Sequence, residues 1–329
     1  MADRSAPARS VLITGGSGYL GAQLVARLAA ERGGLETVVA MDVRPMPDGR
    51  RVPGVVYEVG DIREPGIAEL LQRHGVDTVV HLAAIVTPGK GDTREFLHSI
   101  DVGGTQNVVA ACLEADVRRL VVTSSGAAYG YYADNSMPLS EADAIRGNPE
   151  FAYSDHKRQV EEFLAQVRVA NPQLEQIVFR PGTILGASVQ NQITALFDGR
   201  FILGVSGSQT PFVFIWDQDV VGCLVEAVRG GRAGIYNLAG DGVMTLDDIS
   251  EVVGKRVMSI PAWLIRGVLA LLHPLGLSQY GPEQVDFLRY RPVLSNERLK
   301  SDFGYKPRKT SREVFDYFWS HHASSSGPS

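Results

Sequence analysis

Two side chains with complementary acid–base chemistry lie four positions apart near the middle of the chain. The stretch F-A-Y-S-D-H-K, residues 151–157, contains Tyr153 and Lys157, and residues four apart share one face of a helix. A lysine ammonium beside a tyrosine favours the ionised phenolate. Such a tyrosine can take up or return the proton of an alcohol while the alcohol carbon loses or gains a hydride. Because a lone Tyr-x-x-x-Lys pair is also common on exposed helices, its interpretation depends on the elements around it.

A strand, a glycine-rich turn and a helix precede this pair. The run Val11–Thr14 is typical of a buried parallel strand, and glycines follow at 15, 18 and 21. In a dinucleotide-binding turn the glycines permit the tight turn, the approach of the pyrophosphate and close helix packing. The spacing is G-x-x-G-x-x-G, and a plain strand–helix turn is the alternative. The residues predicted to contact a dinucleotide here are Gly15, Ser17, Gly18, Tyr19, Leu20 and Gly21.

An acidic residue ends the next predicted strand, Thr37–Asp42. Dinucleotide-binding folds place an acid about 20 residues after the glycines, where it accepts hydrogen bonds from the adenosine ribose. A cap or turn acid is the alternative role for Asp42. Arg44 follows two residues later and could meet the 2′-phosphate of NADP, but Asp42 would repel that phosphate. We therefore predict NAD as the cofactor.

Two further strand ends are predicted to line the same site. Asp61 and Ile62 follow a strand over 55–59, where an acid can reach the adenine edge; Asp61 is also placed to cap a helix predicted over 64–74. A strand over 77–82 ends in H-L-A-A, and small residues at the carboxyl end of a parallel strand leave room for a ligand. The candidate residues at this second end are Leu82, Ala83 and Ala84.

Strands and helices alternate through the first half of the chain, which continues with a helix over 92–115 and a strand over 119–123. This pattern predicts an α/β fold with a doubly wound parallel Rossmann sheet, and the family resemblance described below implies in addition a smaller α/β C-terminal substrate domain. The predicted parts are a flexible N-terminus over 1–9, an NAD-binding domain over 10–185 with strands from 210–240, a mostly small substrate-binding domain over 186–322 and a disordered tail over 323–329.

The second half alternates less regularly. Helices are predicted over 189–199, 219–229, 245–253 and 310–321, with strands over 212–216 and 234–238. The apolar stretch Val257–Leu277 is interpreted as core of the smaller domain, with a lid over a hydrophobic substrate as the alternative.

Composition narrows the class of protein. The chain has 329 residues, 44% of them hydrophobic, and a formal net charge of −5, which argues against nucleic acid as the main partner. Cys112 and Cys223 lie in apolar helical patterns and are predicted to be buried free thiols, with no zinc spacing.

We expect no transmembrane segment, because Val257–Leu277 is interrupted by proline and charge. Without an apolar leader segment, a cytoplasmic location is expected.

Several motifs together resemble the extended short-chain dehydrogenase/reductase family, in its branch of NAD-dependent epimerases and dehydratases. The resemblance is dense over residues 10 to about 240 and extends to N-E-R-L-K-S-D-F-G-Y-K-P near the C-terminus. The motifs are specific to the family and not to a substrate. They are T-G-G-S-G-Y-L-G, Asp42, G-D-I, H-L-A-A, S-S-G-A-A-Y-G, Y-S-D-H-K and R-P-G-T-I-L-G.

The resemblance implies a role for each matching residue. Tyr153 would be the catalytic acid/base, and Lys157 would bind the nicotinamide ribose and tune Tyr153. Ser125 would hold the substrate oxygen, although a turn serine is the alternative. Thr123 belongs to the implied cofactor site, and Pro181, Thr183 and Ile184 would lie beside the nicotinamide carboxamide.

The chain departs from the family pattern in two places. Where members often read N-V-x-G-T, this chain reads D-V-G-G-T, so Asp101 stands at the asparagine position and adds charge near Lys157. Nucleotide-sugar epimerases usually have a diphosphate-binding arginine in R-D-x-x-H-V-x-D, whereas Phe212 and Val213 stand here. Cations that could substitute are Arg200, Arg232 and Arg291, and their spacing selects none of them.

Three functions therefore remain open for a small-molecule substrate. In the first, the hydride leaves with the cofactor, as in a dehydrogenase or reductase. In the second, it returns to the other face of the carbon, as in a nucleotide-sugar 4-epimerase. A non-catalytic NAD-sensing protein is the third.

A homodimer is also expected. Members of the family often pair the helix over 92–115 and the helix beginning near Tyr153 across a two-fold axis. The apolar face of this interface would consist of Phe163, Leu164 and Val167.

Overall fold

A computed structural model describes residues 7–89, 91–191, 193–272, 275, 281–282 and 284–325. Its strands are β1 (Ser10–Thr14), β2 (Thr37–Asp42), β3 (Val56–Val59), β4 (Thr78–His81), β5 (Arg119–Thr123), β6 (Glu175–Pro181), β7 (Thr183–Leu185), β8 (Ile202–Val205), β9 (Phe214–Trp216), β10 (Gly234–Leu238) and β11 (Val257–Ile260).

Seven of these strands form one parallel sheet in the order β10-β6-β5-β4-β1-β2-β3. The β1 residues Val11, Leu12 and Ile13 are fully buried because helices cover both faces of the sheet. Chain order reverses between β1 and its neighbour β4, where Thr14 pairs with His81. Ligands of doubly wound folds bind at such a reversal, beyond the carboxyl ends of the strands. The predicted Rossmann fold is confirmed.

Helices pack on both faces of the sheet and in the C-terminal part. They are α1 (Tyr19–Ala30), α2 (Ile67–Arg73), α3 (Arg94–His98), α4 (Thr105–Glu114), α5 (Ala152–Ala170), α6 (Asp217–Arg229), α7 (Leu246–Val253), α8 (Ala262–Leu272), α9 (Gln284–Arg289) and α10 (Ser311–Ser325). Helix α10 runs past its predicted end and into the predicted tail, of which residues 326–329 lie outside the described residues.

Two predicted helices differ from the structure. The helix over 92–115 is divided into α3, a π-helical segment at Ser99–Gly104 and α4. Gly104 packs so closely on Ile62 that a Cβ atom there would overlap the Ile62 side chain. The helix over 189–199 is reduced to a 3-10 turn at Thr194–Phe197. The Asn191 side chain accepts the N–H groups of Ile193 and Thr194, and this local bonding competes with a regular helix.

The C-terminal part has its own core of aromatic side chains. Phe197, Phe212 and Phe214 pack against Phe315 and Phe318 of α10. Two small sheets, β7-β9 and β8-β11, border this core. Strands within 210–240 were expected to join the main sheet. Strand β10 does so beside β6, whereas β9 pairs with β7 in a separate small sheet.

Helix α8 fits neither interpretation of the stretch over 257–277. None of its residues is buried, and Trp263 is 73% exposed, so the helix is not core of the smaller domain. None of its residues lines the cavity described below, so it is not a lid over that cavity either. Residues 273–274 and 276–277 lie outside the described residues.

The apolar face of α5 is directed at its own sheet. Leu164 is fully buried and Val167 nearly so, within a core shared with β4 and β5, and Phe163 packs against this core. The side chains proposed for a dimer interface are thus already covered, and the homodimer stays a prediction.

Cys112 and Cys223 are buried and free, as predicted. Among the described residues, no helix has the length and apolar character needed to cross a membrane.

Replacement of Leu164 by alanine tests this core assignment. Because Leu164 is fully buried, we expect Leu164→Ala to lower the free energy of unfolding by about 2–5 kcal/mol. Val169→Ala is the matched control, because Val169 lies on the same helix and is 85% exposed. Denaturant titration of both variants makes the comparison, and equal losses would contradict the assignment.

Candidate active site

The glycine turn between β1 and α1 has the close packing of a dinucleotide site. Gly15 adopts a φ of +70°, and a Cβ atom there would lie 2.8 Å from the backbone nitrogen of Ala83. A Cβ atom at Gly21 would overlap the carbonyl oxygen of Gly15. Gly18 caps α1 without a side chain, and the first turn holds no acid. The free N–H groups and positive end of this helix therefore suit a pyrophosphate.

Asp42 lies beside this turn, at the end of β2. Its carboxylate accepts the N–H of Ser17 at 3.1 Å and the N–H of Arg44 at 3.1 Å. The Arg44 side chain is 78% exposed, with its Nε 4.0 Å from the carboxylate. Asp42 is thus fixed next to the glycine turn, where its charge can act on a ribose.

Asp61 and Ile62 occupy different surroundings. Asp61 forms an ion pair with Arg63 at 2.6 Å, and this arginine holds the pKa of Asp61 below its usual range. Helix α2 begins only at Ile67, with Gly66 as its cap, so the alternative of Asp61 as the cap of this helix is wrong. Ile62 is buried against Gly104.

A cavity of about 560 Å³ opens at the carboxyl ends of the strands and brings most predicted site residues together. Ser17 instead lines a neighbouring pocket with Gly18 and Tyr19, and Asp42, Arg44, Asp61, Ile62 and Ala83 lie outside the cavity wall. The predicted residues in the wall are Gly15, Gly18, Tyr19, Leu20, Gly21, Leu82, Ala84, Thr123, Ser125, Tyr153, Lys157, Pro181, Thr183 and Ile184.

Tyr153 and Lys157 lie on the first turns of α5. The Lys157 ammonium is 5.7 Å from the centre of the Tyr153 ring and donates a hydrogen bond to the Thr123 carbonyl at 3.2 Å. Ser125 follows β5, and its hydroxyl accepts the N–H of Ala127 at 3.1 Å. No described residue accepts the Ser125 hydroxyl hydrogen. A tyrosine, a cation and a hydroxyl donor therefore face one cavity, the set needed for proton transfer to or from an alcohol oxygen.

A buried ion pair behind these residues was not predicted from the sequence. Glu161 of α5 binds Arg180 of β6 at 2.6 Å, with both side chains almost fully buried. Glu161 also accepts the Ser124 hydroxyl at 2.6 Å, and Arg180 donates to the Tyr129 hydroxyl at 2.8 Å. Burial raises the pKa of Tyr129 to about 12. The one available signal was the charge of Arg180 at the end of the apolar run I-V-F, because a buried charge needs a partner.

Of the three candidate substitutes Arg200, Arg232 and Arg291, the structure places Arg291 at the cavity. Its Nη2 donates to the Thr183 hydroxyl at 3.2 Å, and its guanidinium lies 4.5 Å from the ring centre of Phe212 and 4.9 Å from that of Phe287. Its Nη1 is buried and has no hydrogen-bond partner among the described residues. Burial lowers the pKa of Arg291 to about 10.

The cavity wall is therefore electropositive. Lys157 and Arg291 lie in it, and no aspartate or glutamate is among the described residues of the wall. Neither cation forms an ion pair with a described carboxylate. A cavity of this kind favours ligands that carry negative charge.

The fold and the cavity define a dinucleotide-dependent enzyme of the Rossmann class. The sequence model of the NAD dependent epimerase/dehydratase family matches residues 11–239. The chain belongs to this family, as its motifs implied, and this membership supports an enzyme rather than a sensing protein.

Relatives within the family differ in chemistry. The chain is 32% identical over 196 residues to UDP-glucose 4-epimerase of Azospirillum brasilense, covering 57% of this chain and 52% of the relative. It is 36% identical over 149 residues to 3-beta-hydroxysteroid dehydrogenase of Mycolicibacterium neoaurum, covering 44% and 37%. The structure of Thermus thermophilus UDP-glucose 4-epimerase in complex with NAD has a TM-score of 0.71 at 22% identity and covers 95% of this chain and 98% of that one.

The residues present fit NAD, the cofactor of the family. The backbone packs too closely on itself for a Cβ atom at Gly15 or Gly21, which is the tight turn that a dinucleotide site requires. Thr123 in the cavity wall has a buried hydroxyl oxygen without a partner among the described residues. The glycine turn would hold the pyrophosphate, Asp42 the adenosine ribose and Lys157 the nicotinamide ribose.

We expect NAD to bind at least about tenfold more tightly than NADP, a difference of roughly 1.4 kcal/mol. The Asp42 carboxylate, fixed beside the glycine turn, would repel a 2′-phosphate. Titration calorimetry with both cofactors measures the ratio, and Asp42→Asn should reduce it. Equal or reversed affinities in the unmodified chain would mean that Arg44 outweighs Asp42.

Proposed function

We propose that this protein is an NAD-dependent oxidoreductase that transfers a hydride at a secondary alcohol or ketone carbon, with Tyr153 as the acid/base. The observation that supports this most strongly is that Tyr153, Lys157 and Ser125 line the same cavity as Gly15, within one wall. The proton-transfer groups and the glycine turn of the cofactor site thus border the same cavity.

The roles of the side chains follow from their chemistry. NAD, when bound, supplies the acceptor or donor of the hydride. Ser125 donates its hydroxyl hydrogen to the substrate oxygen and orients it. In the oxidising direction the Tyr153 phenolate takes the O–H proton as the C–H bond loses its hydride, and in the reducing direction Tyr153 returns that proton. The Lys157 ammonium stabilises the phenolate.

The substrate class is inferred from charge. Arg291 has an unpartnered buried Nη1 atom at a cavity without acidic residues in its described wall. A buried guanidinium nitrogen without an acceptor is costly, so a phosphate or carboxylate on the substrate would stabilise the site. This favours a nucleotide sugar, the substrate class named for the Azospirillum relative, over an uncharged steroid. A nucleotide-sugar 4-epimerase is therefore the second candidate function.

One experiment separates the two candidates. A thermal-shift panel of sugar nucleotides, sterols and simple ketones in the presence of NAD identifies a ligand. Incubation of that ligand with free NAD then distinguishes the reactions. Net formation of NADH supports a dehydrogenase, and interconversion of epimers without net NADH supports an epimerase.

Removal of the Tyr153 hydroxyl tests the proposed acid/base. We expect Tyr153→Phe to lower turnover by about 10²–10⁴-fold with NAD affinity nearly unchanged, because the lost hydroxyl acts on the substrate. Lys157→Ala should weaken both turnover and NAD binding, and Ser125→Ala should lower turnover less than Tyr153→Phe does. Steady-state kinetics and NAD titration measure these effects.

Tyr132→Phe is the matched control for this series. The Tyr132 hydroxyl donates to the Gly147 carbonyl, and Tyr132 does not line the cavity. Its loss should leave turnover within a few-fold of the unmodified protein. Near-normal turnover of Tyr153→Phe would show that the acid/base is another group.

Replacement of Arg291 tests the substrate class. We expect Arg291→Met to weaken binding of UDP about 10- to 100-fold, the effect of a charge-assisted hydrogen bond of roughly 1.5–3 kcal/mol. Arg289→Met is the control, because Arg289 stacks on Tyr290 and does not line the cavity. Calorimetry with UDP measures both, and equal affinities would contradict a phosphate at Arg291.

A further inference from the structure

The Asp101 carboxylate lies behind the candidate catalytic residues and connects three segments. It belongs to the π-helical segment Ser99–Gly104 and is 3% exposed. Its Oδ2 lies 3.0 Å from Nδ1 of His156, the residue before Lys157 on α5. Its Oδ1 accepts the N–H of Ile85 at 3.1 Å, next to the cavity-lining Val86. One carboxylate thus fixes the catalytic helix to a loop of the cavity wall.

The hydrogen-bond roles in this cluster determine its charge. An ionised carboxylate only accepts hydrogen bonds, so His156 Nδ1 must carry the hydrogen. His156 Nε2 is buried and has no hydrogen-bond partner among the described residues. The centre of the His156 ring lies 5.3 Å from the centre of the His98 ring. A second N–H at that position would be buried without an acceptor, which is costly. The geometry therefore fits a neutral His156, and the negative charge of Asp101 remains uncancelled by it.

The neighbouring titratable groups leave Asp101 as the negative charge of the cluster. Burial and, to a smaller extent, the Lys157 ammonium lower the pKa of His81 on β4 to about 3, and Asp101 acts in the opposite sense. His81 is thus neutral, and both of its ring nitrogens are bonded, to Thr14 and Thr105. His98 of α3 pairs with Gln159. Lys157 is 6% exposed and has no carboxylate within 4.0 Å among the described residues.

We propose that Asp101 and His156 form a positioning pair for the Tyr153–Lys157 couple. Asp101 holds the first turns of α5 through His156, and its charge balances the buried Lys157 ammonium and thereby sets the ease with which Tyr153 ionises. This inference rests on the proposed function, because the ionisation of Tyr153 matters only if Tyr153 transfers a proton. Asparagine could not replace Asp101 in this role, because it carries no charge and has an NH₂ group in place of one of the two oxygens that Asp101 presents to Ile85 and His156. With that NH₂ group facing Nδ1, His156 would have to carry its hydrogen on the buried, unpartnered Nε2.

The first test is the tautomer of His156 in the full chain without added ligand. In Asp101→Asn the carboxamide oxygen can keep the Ile85 bond while the NH₂ group donates to His156 Nδ1. Nitrogen NMR of histidine-labelled protein should therefore show the Nδ1–H tautomer for the unmodified chain and the Nε2–H tautomer for the variant. The chain has 7 histidines, and His156→Gln assigns the signal. The same tautomer in both proteins overturns the pairing.

The second test is the ionisation of Tyr153, followed by NMR of ring-labelled tyrosine and assigned with Tyr153→Phe. Loss of the Asp101 charge makes the phenolate easier to form, so its titration midpoint in Asp101→Asn should fall below that of the unmodified chain. The other titratable and charged groups around the cluster are His81, His98, Lys157 and the ion pair of half-exposed Arg94 with buried Asp155. An unchanged midpoint overturns the proposal.

Asp219→Asn is the matched control for a merely structural effect. Asp219 is a fully buried carboxylate of α6, bonded to Tyr305 and Arg308 and outside the cavity wall. The Asp219→Asn substitution should lower the melting temperature without moving the titration midpoint of Tyr153. A shift of that midpoint equal to the one in Asp101→Asn would overturn the proposal. Neither measurement depends on turnover. Normal turnover of Tyr153→Phe would instead refute the proposed function and leave both NMR results standing.

Discussion

The buried ion pair between Glu161 and Arg180 is the interaction on which the candidate site depends. It joins α5 to β6 with almost no exposure to water, and removal of one partner from such a pair typically costs about 3–5 kcal/mol. Three members of this network lie next to candidate site residues along the chain or one helical turn away. Ser124 precedes Ser125, Arg180 precedes Pro181, and Glu161 lies one helical turn after Lys157. A shift of this pair would therefore move Ser125, the first turns of α5 and Pro181 together.

Charge in the interior is arranged in two layers. The deeper layer holds two carboxylates, Glu161 paired with Arg180 and Asp101 hydrogen-bonded to a neutral His156. The cavity layer holds Lys157 and Arg291, which have no carboxylate within ion-pair distance among the described residues. Preorganised cations at a cavity stabilise negative charge that a ligand or a reaction brings to it. The protein thus places two cations at the cavity and keeps the carboxylates behind it.

The sequence predicted the parts of the fold that depend on local pattern. Strands β2, β5 and β10 were predicted with their observed bounds, and β1 nearly so, because apolar runs buried on both faces end at turn residues. The helix over 92–115 was predicted as continuous because its apolar periodicity does not reveal the π-helical segment at Ser99–Gly104. Helix α8 was misinterpreted because apolar composition predicts burial on average, and its neighbours leave it exposed.

The candidate site shows the same division between local and distant information. The glycine turn and the Tyr153–Lys157 pair each lie within one short motif, and the structure places both at the cavity. The contacts of Asp101 with Ile85 and His156 span 16 and 55 positions, so only packing could bring them together. The sequence identified Asp101 as an added charge near Lys157, but its partner could not be inferred without the structure.

The second departure from the family pattern has a structural counterpart. Phe212 stands where nucleotide-sugar epimerases usually have a diphosphate-binding arginine, and its ring is buried in a stack with Phe214. The same ring lies 4.5 Å from the guanidinium of Arg291, which a different segment supplies. A cation over an aromatic face is stabilised without a carboxylate, so Nη1 keeps its capacity to bind a ligand. This region therefore carries positive charge although residue 212 is not an arginine, because the Phe212 ring supports Arg291 at the cavity.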